Sequence, residues 1–312
     1  MTDLRERLSA YRPDLLRHCY RMLGSFADAE DRVQEVLLNA WRARESYAGD
    51  APLEHWLYRI ATNACLNELA KRRRRGLPQV ERAPAAAPEP LEEHEVADWL
   101  TPAPDAQIFA SPARLLETRE SVALAFLALL QRLPPRQRAV LLLKDVIGWQ
   151  AEEIATALEL SLASVSSALH RARQSIASRP ATPAPDPAPE VLRAYVQSWE
   201  SHDVESLVAL LHDEVVFAMP PHATWFLGAA AVERFLRGSR FATHWAAARF
   251  RVVTTRANGQ LALAFYRRTD RDYRPSSLQL VRFVDGRVTE VMSFIGPGYL
   301  RGFEVPDHLP LA

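Results

Sequence analysis

Ser164, Ser166, Ser167, His170, Arg171 and Arg173 stand within ten residues of one another, with no carboxylate among them. Hydroxyls, an imidazole and guanidiniums together donate, accept and carry positive charge, which is the chemistry of contact with phosphate oxygens and base edges. A second set, Arg59, Asn63, Asn67 and Lys71, recurs at four-residue steps and leads into Lys71-Arg72-Arg73-Arg74-Arg75. Side-chain amides pair with the edges of unstacked bases, and a basic run grips phosphates with an affinity that falls steeply as salt rises. A third set, Met219, His222, Trp225, His244, Tyr266 and Phe294, suits the lining of an apolar pocket. It holds no acid and base placed by a partner, so no catalytic residue is assigned. Cys19 and Cys65, the only cysteines, lie in helical patterns and make neither a disulfide framework nor a zinc site; no metal or cofactor is expected.

Helices must hold the first two sets. Ala29, Val33, Val36, Leu37, Ala40 and Trp41 fall on one helical face. Leu53, Trp56, Leu57, Ile60, Ala61 and Ala64 form a second apolar stripe, with Arg59, Asn63, Asn67 and Lys71 on a different face. Residues 151–158 predict a helix that breaks at Glu159-Leu160, where Ser161 is a suitable N-cap for the next. That next helix would bury Leu162, Val165, Leu169, Ala172 and Ile176, leaving the polar set and Gln174 outside in the manner of a helix-turn-helix.

The last third changes period. Arg249–Ala257 and Gln260–Arg268 are β-branched and aromatic runs joined at Asn258-Gly259, and Ser277–Val284 and Arg287–Phe294 are joined at Asp285-Gly286. Both junctions predict two-residue hairpins, so this part is α+β, helices first and antiparallel strands later.

A chain of 312 residues, 48% hydrophobic and 24% charged, suits several globular domains. It has no run of about 20 apolar residues, and its first residues lack the apolar core of a signal peptide, so a cytoplasmic protein off the membrane is expected. The zero net charge conceals a pattern: fifteen basic against twelve acidic residues over 1–82, one against seven over 83–118, eight against five over 119–180, and fourteen of each over 181–312. Proline-rich stretches at 83–113 and 180–189 predict linkers with little regular structure. The expected organisation is therefore two all-α domains, 1–82 and 114–179, then an α+β domain over 190–304 and a tail at 305–312.

Family resemblance enters through two blocks. Asp28-Ala29-Glu30-Asp31-Arg32-Val33-Gln34-Glu35-Val36-Leu37-Leu38-Asn39-Ala40-Trp41-Arg42, with Tyr47-Ala48-Gly49-Asp50 and Trp56 to Asn67, resembles region 2 of the sigma-70 family in its extracytoplasmic-function (ECF) group. Leu133-Pro134-Pro135-Arg136-Gln137-Arg138, the helix-turn-helix and Leu169-His170-Arg171-Ala172-Arg173 look like region 4. The resemblance implies a subunit that binds the RNA polymerase core at its clamp helices and flap and directs it to promoter DNA. Asp31, Gln34 and Glu35 would dock on the clamp helices. Gly49, Asp50 and Ala51 would capture an unpaired base of the −10 element, beside Asn63 and Asn67 and with Trp56 near, while Lys71, Arg72, Arg73 and Arg74 hold phosphates. Ser164, Ser166, Ser167, His170, Arg171 and Arg173 would meet the −35 element. The acidic linker would lie in the basic channel for nascent RNA. Relatives often carry Lys or Arg where this chain has Ser166 and Ala168, which implies weaker or differently specified −35 contacts.

Residues 190–304 resemble the SnoaL-like branch of the nuclear-transport-factor-like fold, through Tyr195 to Phe217 and Gly228 to Leu236. Such cone-shaped domains often enclose an apolar pocket, here with Met219, His222, Trp225, His244, Tyr266 and Phe294 as candidates and a small-molecule ligand or regulator as occupant. Fused to a sigma factor, the domain is expected to regulate. A stand-alone, ligand-sensing regulator and an isomerase or cyclase tethered to DNA are the competing readings. The first has no use for the clamp-docking segment, and the second needs a catalytic pair that the sequence does not supply.

Overall fold

Every position from Leu15 to Leu23 is buried, so helix α2 (Arg12–Leu23) lies at the centre of its domain and other helices surround it. The computed structural model describes residues 4–47, 52–72, 74–85, 99–109, 121–176, 185–238, 245 and 247–311. Gly49, Asp50, Ala51, Arg73 and His244 lie outside them. The chain divides into two units: Met1–Arg75, Leu100–Ala103 and Gln107–Ala181 form the first, and Gly76–Trp99, Pro104–Ala106 and Thr182–Ala312 the second.

In the first unit, α1 (Leu4–Ala10), α3 (Phe26–Arg42) and α4 (Leu53–Leu69) pack with α2. Gly24 ends α2 at φ +70°, and a Cβ there would lie 2.5 Å from Leu100. Ser25 then caps α3, its hydroxyl accepting from the Asp28 amide at 3.3 Å. Polar groups on the buried helix find partners: His18 Nε2 lies 2.8 Å from the Thr62 hydroxyl, and Arg21 Nε donates to the Ser121 carbonyl at 3.1 Å.

After α5 (Pro78–Glu81) and the short α6 (Asp105–Ile108) come α7 (Leu124–Arg132) and α8 (Pro135–Leu141), the latter running into a π-helical turn over Leu142–Val146. The helix-turn-helix follows as α9 (Ala151–Leu158) and α10 (Leu162–Ser175). Arg138 is buried, donating to the carbonyls of Met22, Gln131 and Leu133. Those neutral acceptors do not offset desolvation, which lowers its guanidinium to about 10.

The second unit begins with α11 (Pro189–Ser201) and α12 (Val204–Ala209), then strands β1 (Leu211–Ala218) and β2 (Trp225–Leu227), and helix α13 (Ala229–Gly238). Strands β3 (Phe250–Ala257), β4 (Gln260–Arg268), β5 (Asp272–Val284), β6 (Arg287–Ile295) and β7 (Leu309–Pro310) complete one sheet, in the order β2-β1-β6-β5-β4-β3 with β7 beside β5. Asn258, Gly259, Asp285 and Gly286 all have positive φ, the geometry of the two predicted hairpin turns. One face of the sheet packs Phe217, Phe265, Val281 and Phe283 against Tyr195 and Trp199 of α11.

Two boundaries differ from expectation. The proline-rich stretch is packed at residues 99–109: Trp99, Leu100, Ala103 and Ile108 are buried, because its apolar side chains find partners and proline tolerates the extended backbone between them. Trp99 Nε1 donates to the Pro221 carbonyl at 2.9 Å, and Asp105 Oδ1 accepts from the Gly259 amide at 2.8 Å. The segment expected to be a tail supplies β7, and the Pro306 carbonyl accepts from the Tyr266 hydroxyl at 2.6 Å.

Candidate nucleic-acid interface

Helix α3 buries Ala29, Val33, Val36 and Ala40 and exposes Asp31, Gln34 and Glu35 on the other side. Leu38 and Trp41, 49% and 39% exposed, continue that outward strip, so it offers apolar surface beside the carboxylates. Trp41 and Leu37 were expected in the buried stripe; the helix turns them partly out.

Helix α4 buries Leu53, Leu57, Tyr58, Ala61, Thr62 and Cys65. Its stripe is rotated from the expected one, leaving Trp56, Ile60 and Ala64 half-buried beside exposed Arg59, Asn63 and Asn67. Trp56 packs on Tyr47 with ring centroids 5.1 Å apart, at the point where residues 48–51 join the helix. An aromatic pair next to two exposed amides is a surface on which a base can stack and be read.

The basic run departs from its predicted course. Helix α4 stops at Leu69, so the run does not extend the Arg59–Asn67 edge. Arg75 turns inward, Nη2 lying 2.7 Å from Asp28 and Nη1 donating to the Leu23 carbonyl at 3.1 Å. Arg72 pairs with Asp28 and Glu68. Burial works against its charge, but the two carboxylates prevail and hold its guanidinium above the usual value. Lys71 and Arg74 are exposed.

In the helix-turn-helix, Glu159 takes the left-handed conformation at φ 53° and Ser161 caps α10, accepting from the Ser164 amide at 3.2 Å. Gln150 and Glu153 make a capping box at the start of α9. Ser164, Ser166, Ser167, His170, Arg171, Arg173 and Gln174 are all exposed. The buried face of α10 is Val165, Ala168 and Ala172, while Leu162 is 50% exposed and Leu169 half-buried. Ala168 therefore belongs to the packed side of the helix, and only Ser166 of the two uncharged positions faces outward. Arg173 forms a forked pair with Asp145, Nη2 to Oδ1 at 2.6 Å and Nε to Oδ2 at 3.0 Å, and this hydrogen-bonded carboxylate raises its pKa.

Among the described residues, the third set is divided between the two faces of the sheet. Met219 belongs to the aromatic core on the helix side of the sheet. Alternation along β4 and β6 sends Tyr266 and Phe294 to the opposite face, and Trp225 stands opposite Ala218 there. Trp225 Nε1 donates to the Arg82 carbonyl at 2.9 Å, and Phe294 packs on Tyr299. His222 is half-buried, in the turn after β1. Tyr195, Trp199, Phe217, Phe226, Phe235, Trp245 and Phe265 form a buried aromatic cluster on the helix side of the sheet, large side chains the pattern of spacing could not assign to one face.

Two helical blocks presenting amides, hydroxyls and guanidiniums, joined to a separate α+β unit, define a multidomain DNA-binding protein. Family models agree: sigma-70 region 2 matches residues 8–75, sigma-70 region 4 residues 123–176 and a SnoaL-like domain residues 192–291. The chain is 41% identical to the ECF RNA polymerase sigma factor SigG of Mycobacterium tuberculosis, over 98% of this chain and 85% of that one. It is 26% identical to the probable ECF sigma factor SigI of the same species, over 93% and 92% of the two. The crystal structure of M. tuberculosis SigJ, another ECF sigma factor, shares the fold with a TM-score of 0.57 at 21% identity, covering 96% of this chain and 99% of SigJ. This chain belongs to the sigma-70 family, as an ECF sigma factor with a SnoaL-like C-terminal domain. It binds RNA polymerase core and directs promoter recognition and the initiation of transcription.

Proposed function

We propose that the exposed strip of α3 with Asp31, Gln34 and Glu35 docks on the clamp helices of the polymerase, with region 4 near the flap. The −10 element would be read by Asn63 and Asn67 with Gly49, Asp50 and Ala51, and gripped by Lys71 and Arg74 together with Arg73. Arg72 joins them only by exchanging its carboxylate partners for phosphates. The −35 element would be met by Ser164, Ser166, Ser167, His170, Arg171 and, on release from Asp145, Arg173. The observation that carries this reading is the line of exposed Arg59, Asn63 and Asn67 beside the Tyr47–Trp56 pair, a surface that the helix core does not need.

The SnoaL-like domain is proposed to regulate these contacts rather than to catalyse, and to act in the cytoplasm with the polymerase. A regulatory ligand remains part of the proposal, bound without a preformed pocket lined by all six candidate residues. Run-off transcription with core polymerase on a promoter library tests both parts. Full-length chain should give promoter-specific transcripts, and removing residues 185–312 should change their yield or promoter choice. Unchanged yield, holoenzyme formation and promoter choice in the truncated chain would remove the regulatory role.

A further inference from the structure

One end of the C-terminal sheet concentrates arginines that the fold leaves unpaired. Strand β4 ends in Arg267-Arg268, the turn holds Arg271, and β5 opens with Asp272-Tyr273-Arg274. The register sets Arg267 directly opposite Arg274 and Arg268 opposite Tyr273, and like charges facing each other across antiparallel strands are destabilising. Arg267, Arg268 and Arg271 are exposed, and among the described residues none reaches a carboxylate. Arg249, just before β3 at the same end, is exposed as well.

The acidic groups there do not answer this charge. Asp272 is taken up by the turn, its Oδ1 accepting from the Thr269 hydroxyl at 2.8 Å and its Oδ2 lying 2.7 Å from Arg274. Glu200 faces Arg251 at 3.4 Å, and the Arg251 guanidinium sits 5.7 Å from the Tyr273 ring centre. Among the described residues, exposed Asp270 and Asp307, with Glu304 on the same segment as Asp307, stand against four exposed arginines without a carboxylate partner. Strand directions put exposed Asp213 and Glu214, at the start of β1, and Asp285, in the β5–β6 turn, at the opposite end of the sheet. The neutral total of this third of the chain thus hides a charge separation along the strands.

We propose that this hairpin end is a contact for duplex DNA, taking the phosphate backbone of promoter DNA outside the −10 and −35 elements. A protein partner would need an apolar anchor at the centre of its interface, and the exposed residues of this tip are polar, chiefly arginines, with Tyr273 buried beneath them. A polyanion of regular charge needs an excess of guanidiniums over carboxylates, which the tip supplies. The proposal rests on the sigma-factor reading for the presence of DNA, but not on any residue of regions 2 or 4.

The test measures holoenzyme binding to a promoter fragment carrying duplex on both sides, as a function of salt, for wild type, R267Q/R268Q/R271Q and the charge-retaining R267K/R268K/R271K. The glutamine variant should lower the slope of log affinity against log salt by about 2 to 3, given roughly 0.9 per phosphate contact, while the lysine variant keeps it. Trimming the fragment to the two elements should abolish the difference between variants. Equal slopes for wild type and the glutamine variant on the long fragment would overturn the proposal. So would an unchanged slope with weakened retention of core polymerase, which would assign the arginines to a protein surface. Absence of promoter-specific transcription by the wild-type holoenzyme would instead sink the promoter reading, and is seen separately from either result.

Discussion

At the scale of single residues, His18 shows how burial converts a titratable group into structure. Burial first, then the nearby Arg21 charge, pushes its pKa from 6.5 down to about 3, so it sits neutral against Thr62. The unfolded chain takes up a proton near pH 6.5 that the folded one refuses. Stability is therefore complete above that pH and falls as pH drops from 6.5 towards 3. The expected slope is about 1.4 kcal/mol per pH unit between roughly pH 6 and 4. Urea unfolding at several pH values should show this slope in wild type and its loss in His18→Gln; an identical slope in the variant would refute the assignment. Nothing in the spacing of the sequence marks His18, because its partner lies 44 residues away on another helix. A similar separation hid the fate of Arg72 and Arg75, which a charge run advertises as free but which Asp28 engages from α3.

Elements were more legible. Helical periodicity located α3, α4 and both helices of the helix-turn-helix, and Asn-Gly and Asp-Gly located two hairpins, since these signals are local. What periodicity could not fix was rotation: a helix may be recognised while its buried face is misjudged by one position, as in α4 and α10. The recognition helix makes the point testable. Ser166 faces outward and Ala168 is 7% exposed, so two substitutions that look equivalent in sequence should part. Ser166→Arg should fold normally and tighten DNA binding by region 4, steepening the salt slope by about 1. Ala168→Arg should instead destabilise the helix-turn-helix by about 2 kcal/mol or more, by forcing a long charged side chain into packed space. Thermal melts of the two proteins, alongside DNA titrations, separate these outcomes; a stable Ala168→Arg protein with improved DNA binding would contradict the packing.

For the molecule as a whole, composition predicts three domains, whereas the chain divides into two units, and composition does not tell which unit the segment after region 2 serves. Prolines and acidic residues suggest a solvated spacer, whereas Leu77, Pro78 and Trp99 complete the packing of the second unit. Trp99→Ala should cost that unit about 3 kcal/mol or more, by loss of a buried indole and its hydrogen bond. Hydrogen exchange in the full chain should accordingly speed up by roughly a hundredfold or more at the slowest amides of the C-terminal sheet, with the amides of α2 unchanged. Unaltered exchange in the sheet would show that Trp99 is dispensable to it.

The bond from Trp99 to the Pro221 carbonyl spans 122 residues of chain. A ribosome adding about 5–20 residues each second leaves that indole without its acceptor for roughly 6–24 seconds after it is made. Region 2 is complete before that interval opens and region 4 is made within it, so both helical blocks of a nascent chain can fold while Trp99 still lacks its acceptor. The sheet comes last and takes Trp99 up, which makes completion of the C-terminus the step that commits the second unit to its final packing.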